Sequence, residues 1–192
     1  MARYNHSVAE RPPKLLATEA LYEYAIGALA KRSLTEAELR KRLGRRAARP
    51  ASVEEVIGRL SRSGYLDDTR LAESYARFRR DYEGFGPSRV LRDLQRRGVE
   101  SGTAHQAVAE TFDESGEDEL IRAHLKRKLG ESWETRPFDS PKRLHSLFRS
   151  LIRAGFSSDK IVKALEVITP DSEWLEPLAD FQAPLGEDEV FD

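Results

Sequence analysis

Arginine side chains are the groups in this sequence with the clearest capacity for chemistry. Six cations and no acid lie within ten residues, at Arg40, Lys41, Arg42, Arg45, Arg46 and Arg49. A second series follows at Arg77, Arg79, Arg80, Arg89, Arg92, Arg96 and Arg97. Arginine outnumbers lysine 24 to 8, and its planar guanidinium suits phosphate and carboxylate recognition better than an ammonium does. The clusters predict a polyanionic or acidic partner, with ordinary solvated helix faces as the alternative for any single arginine.

The overall charge hides this signal. The chain has 192 residues and a formal net charge of −1. Residues 169–192 contain eight acids and no Lys or Arg, so residues 1–168 hold 32 basic and 25 acidic residues, a net charge of +7. A basic body beside an acidic segment is therefore expected. We expect the segment to be a solubilising tail, the alternative being that it competes with the partner for the basic surface.

Other kinds of chemistry lack their sequence signals. The chain has no Cys, which removes disulfides, thiolate catalysis and Cys-ligated metals. No Gly-Lys-Ser/Thr phosphate loop is present, and metal-ligand spacing is absent among His6, His105, His124 and His145. No apolar run approaches the ~18 residues of a membrane helix, and residues 1–14 are polar. We therefore expect a cytoplasmic, non-enzymatic monomer without metal, cofactor or membrane contact.

Helices must position these arginines. Ala, Glu, Lys, Leu and Arg make up 96 of the 192 residues, a composition that favours helix over sheet. Apolar residues at helical spacing, separated by glycine turns, predict about nine helices and no strand. Capping boxes are predicted at Thr35–Glu38 and at Ser52–Glu55. Tyr75, Phe78 and Tyr82 keep helical spacing and are predicted to be core residues rather than a base-stacking platform.

The predicted helices come in threes. Leu43, Leu94 and Leu151 can be superposed, 51 and 57 residues apart, and Gly98 and Gly155 mark the turns that follow two of them. The repeat predicts an all-α fold, an elongated and curved array of three tandem three-helix repeats. The predicted boundaries are a flexible N-terminal segment at 1–17, repeats at 18–66, 67–115 and 116–168, and an acidic C-terminal tail at 169–192.

Two short motifs mark the junctions between predicted helices. Gly64 is suited to ending a helix in the left-handed conformation, and Tyr65 and Leu66 after it are predicted to fill the seam between units. Either Asp67 or Asp68 is predicted to be an N-cap rather than a catalytic carboxylate. The second motif pairs Gly86 with Pro87, because a helix tolerates proline at its first position.

Three-helix units with glycine turns also suggest a helix-turn-helix reader of DNA. The second repeat argues against this, since the would-be recognition helix at Glu100–Phe112 contains no Lys or Arg. Its arginines lie on the preceding helix, where Arg89, Arg92 and Arg96 share one face. Any contact with DNA is therefore expected to be with the backbone and to tolerate changes of sequence.

In combination, the motifs resemble the signatures of the RecX family of RecA regulators. Gly64–Asp68, followed by Arg70-Leu-Ala72, Tyr75 and Arg79, is similar to one signature, and Gly86–Val99 is similar to a second. Leu147–Leu165 is similar to the family's C-terminal repeat, and the resemblance covers roughly residues 21–168. The sequence departs from the family at Leu71, where Phe is frequent, in extra residues near Pro50, and in the acidic tail.

This resemblance implies a protein that binds in the groove of the RecA–DNA filament and limits RecA ATPase, strand exchange and coprotease action in recombination, repair and the SOS response. The residues expected to contact RecA or phosphate are Arg40, Arg45, Arg46, Arg79, Arg89, Arg92, Arg96 and Arg97. Single- or double-stranded DNA backbone is a second expected partner. The rival hypotheses are a sequence-tolerant DNA- or nucleoid-binding protein that acts without RecA, and a helical adaptor for another acidic protein.

Overall fold

Ten α-helices make up most of the chain in the computed structural model, which describes residues 15–112, 114–135, 137–169 and 171–179. They are α1 (Thr18–Leu29), α2 (Glu36–Gly44), α3 (Ala51–Arg62), α4 (Asp68–Asp81), α5 (Pro87–Arg96), α6 (Ser101–Thr111), α7 (Glu114–Leu129), α8 (Pro141–Ala154), α9 (Ser158–Glu166) and α10 (Glu176–Ala179). Within those ranges, strand-like pairing is limited to an isolated bridge between Leu16 and Ala47. The predicted all-α fold is confirmed, with one short helix more than the sequence suggested.

Helices α1 to α3 enclose the first buried cluster. Leu21, Leu39 and Leu60 are fully buried in it, and α3 packs against both α1 and α2. The predicted capping box begins α2: the Thr35 hydroxyl accepts a hydrogen bond from the Glu38 N–H, and the Glu38 carboxylate accepts one from the Thr35 N–H, each at 3.1 Å. This exchange satisfies N–H groups that the start of a helix otherwise leaves without partners.

The second predicted capping box is wrong. Helix α3 begins at Ala51, after Pro50, so Ser52 lies inside the helix. The Ser52 side chain is buried, and its Oγ lies 2.8 Å from Oγ1 of Thr18. Proline has a φ that suits a helix start and no N–H to leave unpaired. Pro50 therefore sets the boundary earlier than the polar pattern indicates, and Ser52 ties α3 to α1 instead.

The backbone of Leu16 forms two hydrogen bonds with the segment that follows α2. Its N–H donates to the carbonyl of Arg46 at 2.7 Å, and its carbonyl accepts from the N–H of Ala48 at 2.9 Å. The last residues of the segment predicted to be flexible are therefore hydrogen-bonded to the first packed unit. Residues 1–14 of that segment lie outside the described residues.

The turn between α3 and α4 begins at Gly64, whose φ of +71° is the left-handed conformation predicted for it. Leu66 is buried in the first cluster, but the Tyr65 side chain is 62% exposed. The prediction that Tyr65 fills a seam is therefore wrong. Leu66 takes the buried position of this pair, and Tyr65 beside it is left in solvent.

Asp67 and Asp68 complete two different helices. The Asp67 carboxylate accepts a hydrogen bond from the Arg70 N–H at 3.0 Å and so provides the predicted N-cap of α4. The Asp68 carboxylate accepts one from the Glu36 N–H, at the start of α2, at 2.9 Å. Both carboxylates thus satisfy backbone donors, as expected for capping residues.

Helices α4 to α6 enclose a second buried cluster. Ala72 and Ala76 of α4 face this cluster, and Tyr75 packs at its edge. Phe78 and Tyr82 are 50% and 79% exposed, and their rings stack with centroids 5.2 Å apart. The prediction that these two aromatics belong to the core is wrong. The alanine stripe of α4 faces inward instead, because small side chains allow a helix to approach its neighbours closely.

Gly86 and Gly155 bring the start of α5 and the end of α8 into direct backbone contact. The Gly86 N–H donates to the Ala154 carbonyl at 2.8 Å, and the Ser88 N–H donates to the Gly155 carbonyl at 3.1 Å. A Cβ at Gly86 would lie under 3.0 Å from the Gly155 carbonyl oxygen, and one at Gly155 would overlap the backbone N of Arg89 in the same way. Gly155 also has a φ of +96°. Both positions therefore require glycine.

Helices α7 to α9 enclose a third cluster, around Leu125, Phe148 and Leu165. Leu175 and Leu178, from the acidic segment, are buried in the same cluster, and α10 packs against α9. Packed structure therefore continues beyond residue 169, the predicted start of the tail. Residues 180–192, which include the remaining acidic groups, lie outside the described residues.

The chain divides into two compact units, Met1–Leu71 and Ala72–Asp192. Among the residues that the structure describes, the first unit contains one buried cluster and the second contains two. Three successive helix triplets, each with its own cluster, agree with the repeated three-helix unit read from the sequence. The repeat boundaries given above stay a prediction.

Candidate anion-binding surfaces

A shallow cleft of about 500 Å³ lies in the first unit, beside α1 and the end of α2. Its lining consists of Tyr24, Arg32, Leu34, Glu38, Lys41, Arg42, Arg45 and Arg46. We call it the Tyr24 cleft. Arg42 donates a hydrogen bond from Nε to the Tyr24 hydroxyl at 2.8 Å, and the guanidinium carbon of Arg46 lies 4.8 Å from the centre of the Tyr24 ring. Two candidate residues, Arg45 and Arg46, are thus brought together in one cationic cleft.

The end of α2 places these cations on one side. Lys41 and Arg42 lie in its last turn, and Arg45 and Arg46 follow four residues later. Arg45 is the C-cap residue and keeps right-handed helical backbone angles, so it follows Lys41 by about one turn, and the C-terminal end of a helix dipole favours positive charge. The hydrogen bond from Arg42, aided by the charge of Arg46, lowers the pKa of the Tyr24 phenol. Local helix geometry therefore concentrates positive charge around one aromatic ring.

Arg40 does not line this cleft. Its guanidinium pairs with Glu36 at 2.6 Å and with Glu54 at 2.9 Å. Hydrogen bonds with Glu54 and then Glu36 raise the pKa of Arg40. The structure therefore separates Arg40 from Arg45 and Arg46 and gives it a role in joining α2 to α3.

In the second unit, Arg79 is the centre of another arrangement. Its guanidinium hydrogen-bonds to Glu83 and, at 2.7 Å, to Asp93. The guanidinium carbon lies 5.1 Å from the ring centre of Tyr75 and 4.8 Å from that of Phe85. We call these five residues the Arg79 cluster. Burial alone would lower the pKa of Arg79, but the hydrogen bonds to Glu83 and Asp93 outweigh it and raise the pKa. Arg79, with its side chain 20% exposed, holds α4 to α5.

Two more of the candidate arginines lie against rings of the Arg79 cluster. The guanidinium carbon of Arg89 is 3.9 Å from the centre of the Phe85 ring, and its Nη1 donates to the Arg153 carbonyl at 3.1 Å. The guanidinium carbon of Arg97 is 5.3 Å from the centre of the Tyr75 ring. Such cation–π contacts stabilise packing. Both arginines therefore contribute to the folded second unit, whatever else they bind.

Helix α5 also carries exposed arginines. It begins at Pro87, as predicted, and Gly98, with a φ of +81°, follows its end. Arg92 and Arg96 are exposed four residues apart, on the face that Arg89 shares. Arg92 has no hydrogen-bond or ion-pair partner among the residues that the structure describes. The predicted shared face exists, and Arg92 is its most available cation.

Sequence reasoning missed Tyr24 and Arg32. Tyr24 has the helical spacing of a core residue, three positions after buried Leu21, and Arg32 stands apart from the arginine clusters. The one sequence signal for Tyr24 is its hydroxyl group. A half-buried tyrosine places this polar group at the edge of the core, where it can meet a ligand or a charged neighbour. A contact with α2 cannot be read from α1 alone.

A buried carboxylate outside these surfaces, that of Glu117, has structural partners. The buried Glu117 carboxylate accepts a hydrogen bond from the Ser157 N–H at 2.8 Å and pairs with Lys160 at 3.2 Å. In the described ranges, no group of three or more His, Asp or Glu side chains is placed to hold a metal ion. None of the helices described is long and apolar enough to cross a bilayer.

Comparison with known proteins extends these observations. The family model "RecX, second three-helix domain" matches residues 67–108. The regulatory protein RecX of Halorhodospira halophila is 32% identical over 159 residues, which cover 82% of this chain and 93% of that protein. The chain belongs to the RecX family. Regulatory protein RecX of Deinococcus radiodurans is 35% identical over 159 residues, covering 80% of this chain and 72% of its own.

Solved structures of RecX proteins have the same fold. The crystal structure of RecX from Lactobacillus salivarius superposes with a TM-score of 0.62 at 22% identity, covering 79% of this chain and 97% of its own. A second crystal structure, of regulatory protein RecX, gives a TM-score of 0.66 at 22% identity. The RecX resemblance of the two motifs is confirmed, and the matched three-helix domain contains both the Arg79 cluster and the exposed arginines of α5.

Proposed function

We propose that this RecX-family chain binds the RecA–DNA filament and limits RecA ATPase, strand exchange and coprotease action. The observation that carries the proposal is its membership of the family, since relatives covering most of its length are named regulatory protein RecX. RecA is the partner that the family resemblance implies. The chain then acts by binding alone, as a cytoplasmic monomer without a cofactor.

The candidate arginines of the second unit fall into two groups, those that hold the fold together and those that are exposed for binding. Arg79, Arg89 and Arg97 are positioning residues, because carboxylates, rings and a carbonyl already hold their guanidinium groups. Arg92 and Arg96 are exposed on the same face of α5. We propose that these two reach the filament, where they meet either RecA carboxylates or DNA phosphates.

The direct test is RecA ATPase on single-stranded DNA, measured together with filament length at equimolar chain. We expect both to fall. Arg92→Glu should weaken filament binding while leaving helicity intact, because reversing an exposed charge turns attraction into repulsion. The matched control is Arg122→Glu, which reverses an exposed arginine of α7. Unchanged ATPase and filament length with the wild-type chain would contradict the proposal.

A second candidate function is sequence-tolerant DNA binding without RecA. The observation that favours it is the Tyr24 cleft, where five cations line one depression of the first unit. Contacts of arginine with phosphate give affinity without reading sequence. The two functions are separated by comparing affinity for naked DNA with affinity for RecA filaments: tighter binding to naked DNA favours the second.

A further inference from the structure

The Tyr24 cleft concentrates positive charge that its surroundings do not neutralise. None of its five cations has an ion pair with a carboxylate of the described residues. Glu38 is the acid of the lining, and its carboxylate accepts the Thr35 N–H at the start of α2. Elsewhere in the same unit, Arg40 and Arg59 do pair with carboxylates, Arg59 with Glu19 at 3.0 Å. Arg62 and Arg70 of this unit also lack an ion pair but lie outside the cleft, so what is particular to the cleft is the gathering of five such cations in one depression.

Like charges so close together repel one another, and the chain offsets this repulsion only in part. The dipole of α2 favours the cations at its C-terminal end. The ring of Tyr24 attracts Arg46 and Arg42, whose guanidinium carbons lie 4.8 and 5.4 Å from its centre. A bound polyanion would remove the rest of the repulsion. The arrangement is thus one that gains stability from a ligand carrying several negative charges.

Tyr24 organises the cleft as a donor as well as a support. Its hydroxyl oxygen accepts the hydrogen bond from Arg42 at 2.8 Å, so the phenol hydrogen is available for an acceptor in the cleft. The same contact lowers the pKa of the phenol, which makes its O–H a stronger donor. An oxyanion placed here meets guanidinium groups and a hydroxyl that already have fixed orientations.

We propose that the Tyr24 cleft is a phosphate-binding site that takes two or more phosphate groups carried on one molecule. Four of the five cations are arginine, whose forked donors match phosphate oxygens in pairs. Charged residues outnumber Leu34 and Tyr24 in the lining, so phosphate is the group recognised. A nucleic-acid backbone and a free polyphosphate share this chemistry. The inference rests on the second candidate function, binding without RecA, and deepens it by naming the site and the chemical group that the site recognises.

The test uses the full chain and the double variant Arg32→Gln/Arg45→Gln. Both residues are exposed and without described partners, so the fold should persist, as circular dichroism would verify. The matched control is Arg62→Gln/Arg70→Gln, which removes two exposed cations of the same unit outside the cleft. A labelled oligothymidine of about 20 nucleotides and inorganic tripolyphosphate are the two probes.

Fluorescence anisotropy measures the affinity for the oligothymidine between 50 and 200 mM salt. At 50 mM salt, the affinity of the double variant should be roughly tenfold weaker than that of the wild-type chain. The slope of log affinity against log salt should fall by about 1.4, since each lost phosphate contact with a single strand removes about 0.7. The control variant should lose much less of both. Tyr24→Phe, which keeps the ring and removes the hydroxyl, should weaken binding a few-fold.

The two probes distinguish the sources of phosphate. Selective loss of oligothymidine affinity in the cleft variant assigns the site to a nucleic-acid backbone, and selective loss of tripolyphosphate affinity assigns it to a free polyphosphate. Equal losses in cleft and control variants would overturn the proposal in favour of general charge attraction. Displacement by polyglutamate as readily as by tripolyphosphate of equal charge would also overturn it, in favour of an acidic protein. Oligothymidine binding that is as strong in the cleft variant as in the wild-type chain would overturn the site and leave DNA binding without RecA in place.

Discussion

The Tyr24 cleft and the Arg79 cluster use the same residue types for opposite purposes. In the cleft, Arg42 and Arg46 lie on a tyrosine ring and have no described carboxylate partner. In the cluster, Arg79 lies on two rings and is also held by Glu83 and Asp93. The difference is the carboxylates. Arginine with aromatic and acidic neighbours joins helices, whereas arginine with an aromatic neighbour alone leaves positive charge at the surface.

The comparison shows what a count of arginines cannot show. A cation that is paired internally has already lost its water and satisfied its donors, and releasing it to a ligand would cost the internal pair. A cation at the end of a helix, with only a ring beneath it, loses much less on binding. We therefore rank the cleft arginines and Arg92 as ligand-binding groups above Arg79, although all of them belong to arginine-rich stretches.

The largest expected effect concerns the backbone contact beside the Arg79 cluster. Gly155→Ala should lower the free energy of unfolding by at least about 3 kcal/mol, because the new Cβ would overlap Arg89 and the positive φ would be strained. Urea denaturation measures the change. The control Gly27→Ala adds a Cβ that meets nothing within 4 Å, inside α1, and should stabilise the chain by up to about 1 kcal/mol. Similar values for the two variants would contradict the packing described.

The next effect tests the comparison itself. Arg79→Ala should lower the free energy of unfolding by roughly 2–3 kcal/mol, since it leaves the Asp93 carboxylate, 17% exposed, without its cation. Arg45→Ala, in the cleft, should change it by less than about 0.5 kcal/mol. A double-mutant cycle with Asp93→Ala isolates the pair. Equal costs at the two arginines would remove the distinction between structural and ligand-binding arginine.

A third expectation concerns His124, a buried side chain that is neutral in the folded chain at neutral pH. Burial, together with the charge of Arg127, lowers the pKa of His124 to about 4. The unfolded chain takes up this proton below about pH 6.5 and the folded chain only below about 4, so stability is full above pH 6.5 and falls as the pH is lowered towards 4. We expect a loss of about 2 kcal/mol over that window.

Unfolding free energies at pH 7, 5.5 and 4.5 would measure this loss. His124→Gln, which cannot take up a proton, should flatten the dependence, and His105→Gln, at an exposed position, should leave it intact. An equally steep decline in the His124 variant would assign the acid sensitivity to other groups.

The smallest effect is expected at the end of α4 and at the residue that follows it. Replacing Phe78 or Tyr82 by Ser should change the free energy of unfolding by less than about 1 kcal/mol, because both rings are largely exposed. Phe85→Ser should cost more, since that ring supports both Arg79 and Arg89. Thermal denaturation compares the three. A large loss of unfolding free energy on replacing Phe78 would contradict its exposed position and favour the core position that its spacing predicted.

Local pairs were readable from the sequence, and distant ones were not. Glu83 follows Arg79 by four residues, two positions after the end of α4, a spacing that predicts an ion pair. Asp93, the second partner, lies 14 residues further on, across the turn at Gly86. The same separation hides Glu54 from Arg40. The acid-free run at 40–49 therefore predicted most of the cations of the cleft. It also included Arg40, which Glu36 and Glu54 neutralise in the fold.

The acidic segment shows a similar limit. Its charge predicted a tail, yet Leu175 and Leu178 are buried in the third cluster. Composition averages over a window, whereas burial depends on two leucines that α9 can cover. Truncation near Ile168 would therefore remove core residues along with charge, and truncation after Ala179 is the cleaner way to ask whether acidic residues compete with a polyanion. That competition stays a prediction.

Asp68 has a consequence for the order in which the chain folds as it is made. Its carboxylate accepts the N–H of Glu36, 32 residues earlier, so the start of α2 lacks this partner until Asp68 has left the ribosome. Buried Leu66 arrives at the same time. The first unit is therefore expected to fold in one step, late in its own translation, and not helix by helix. The Gly64–Asp68 motif then marks the moment at which a nascent chain gains its first stable domain.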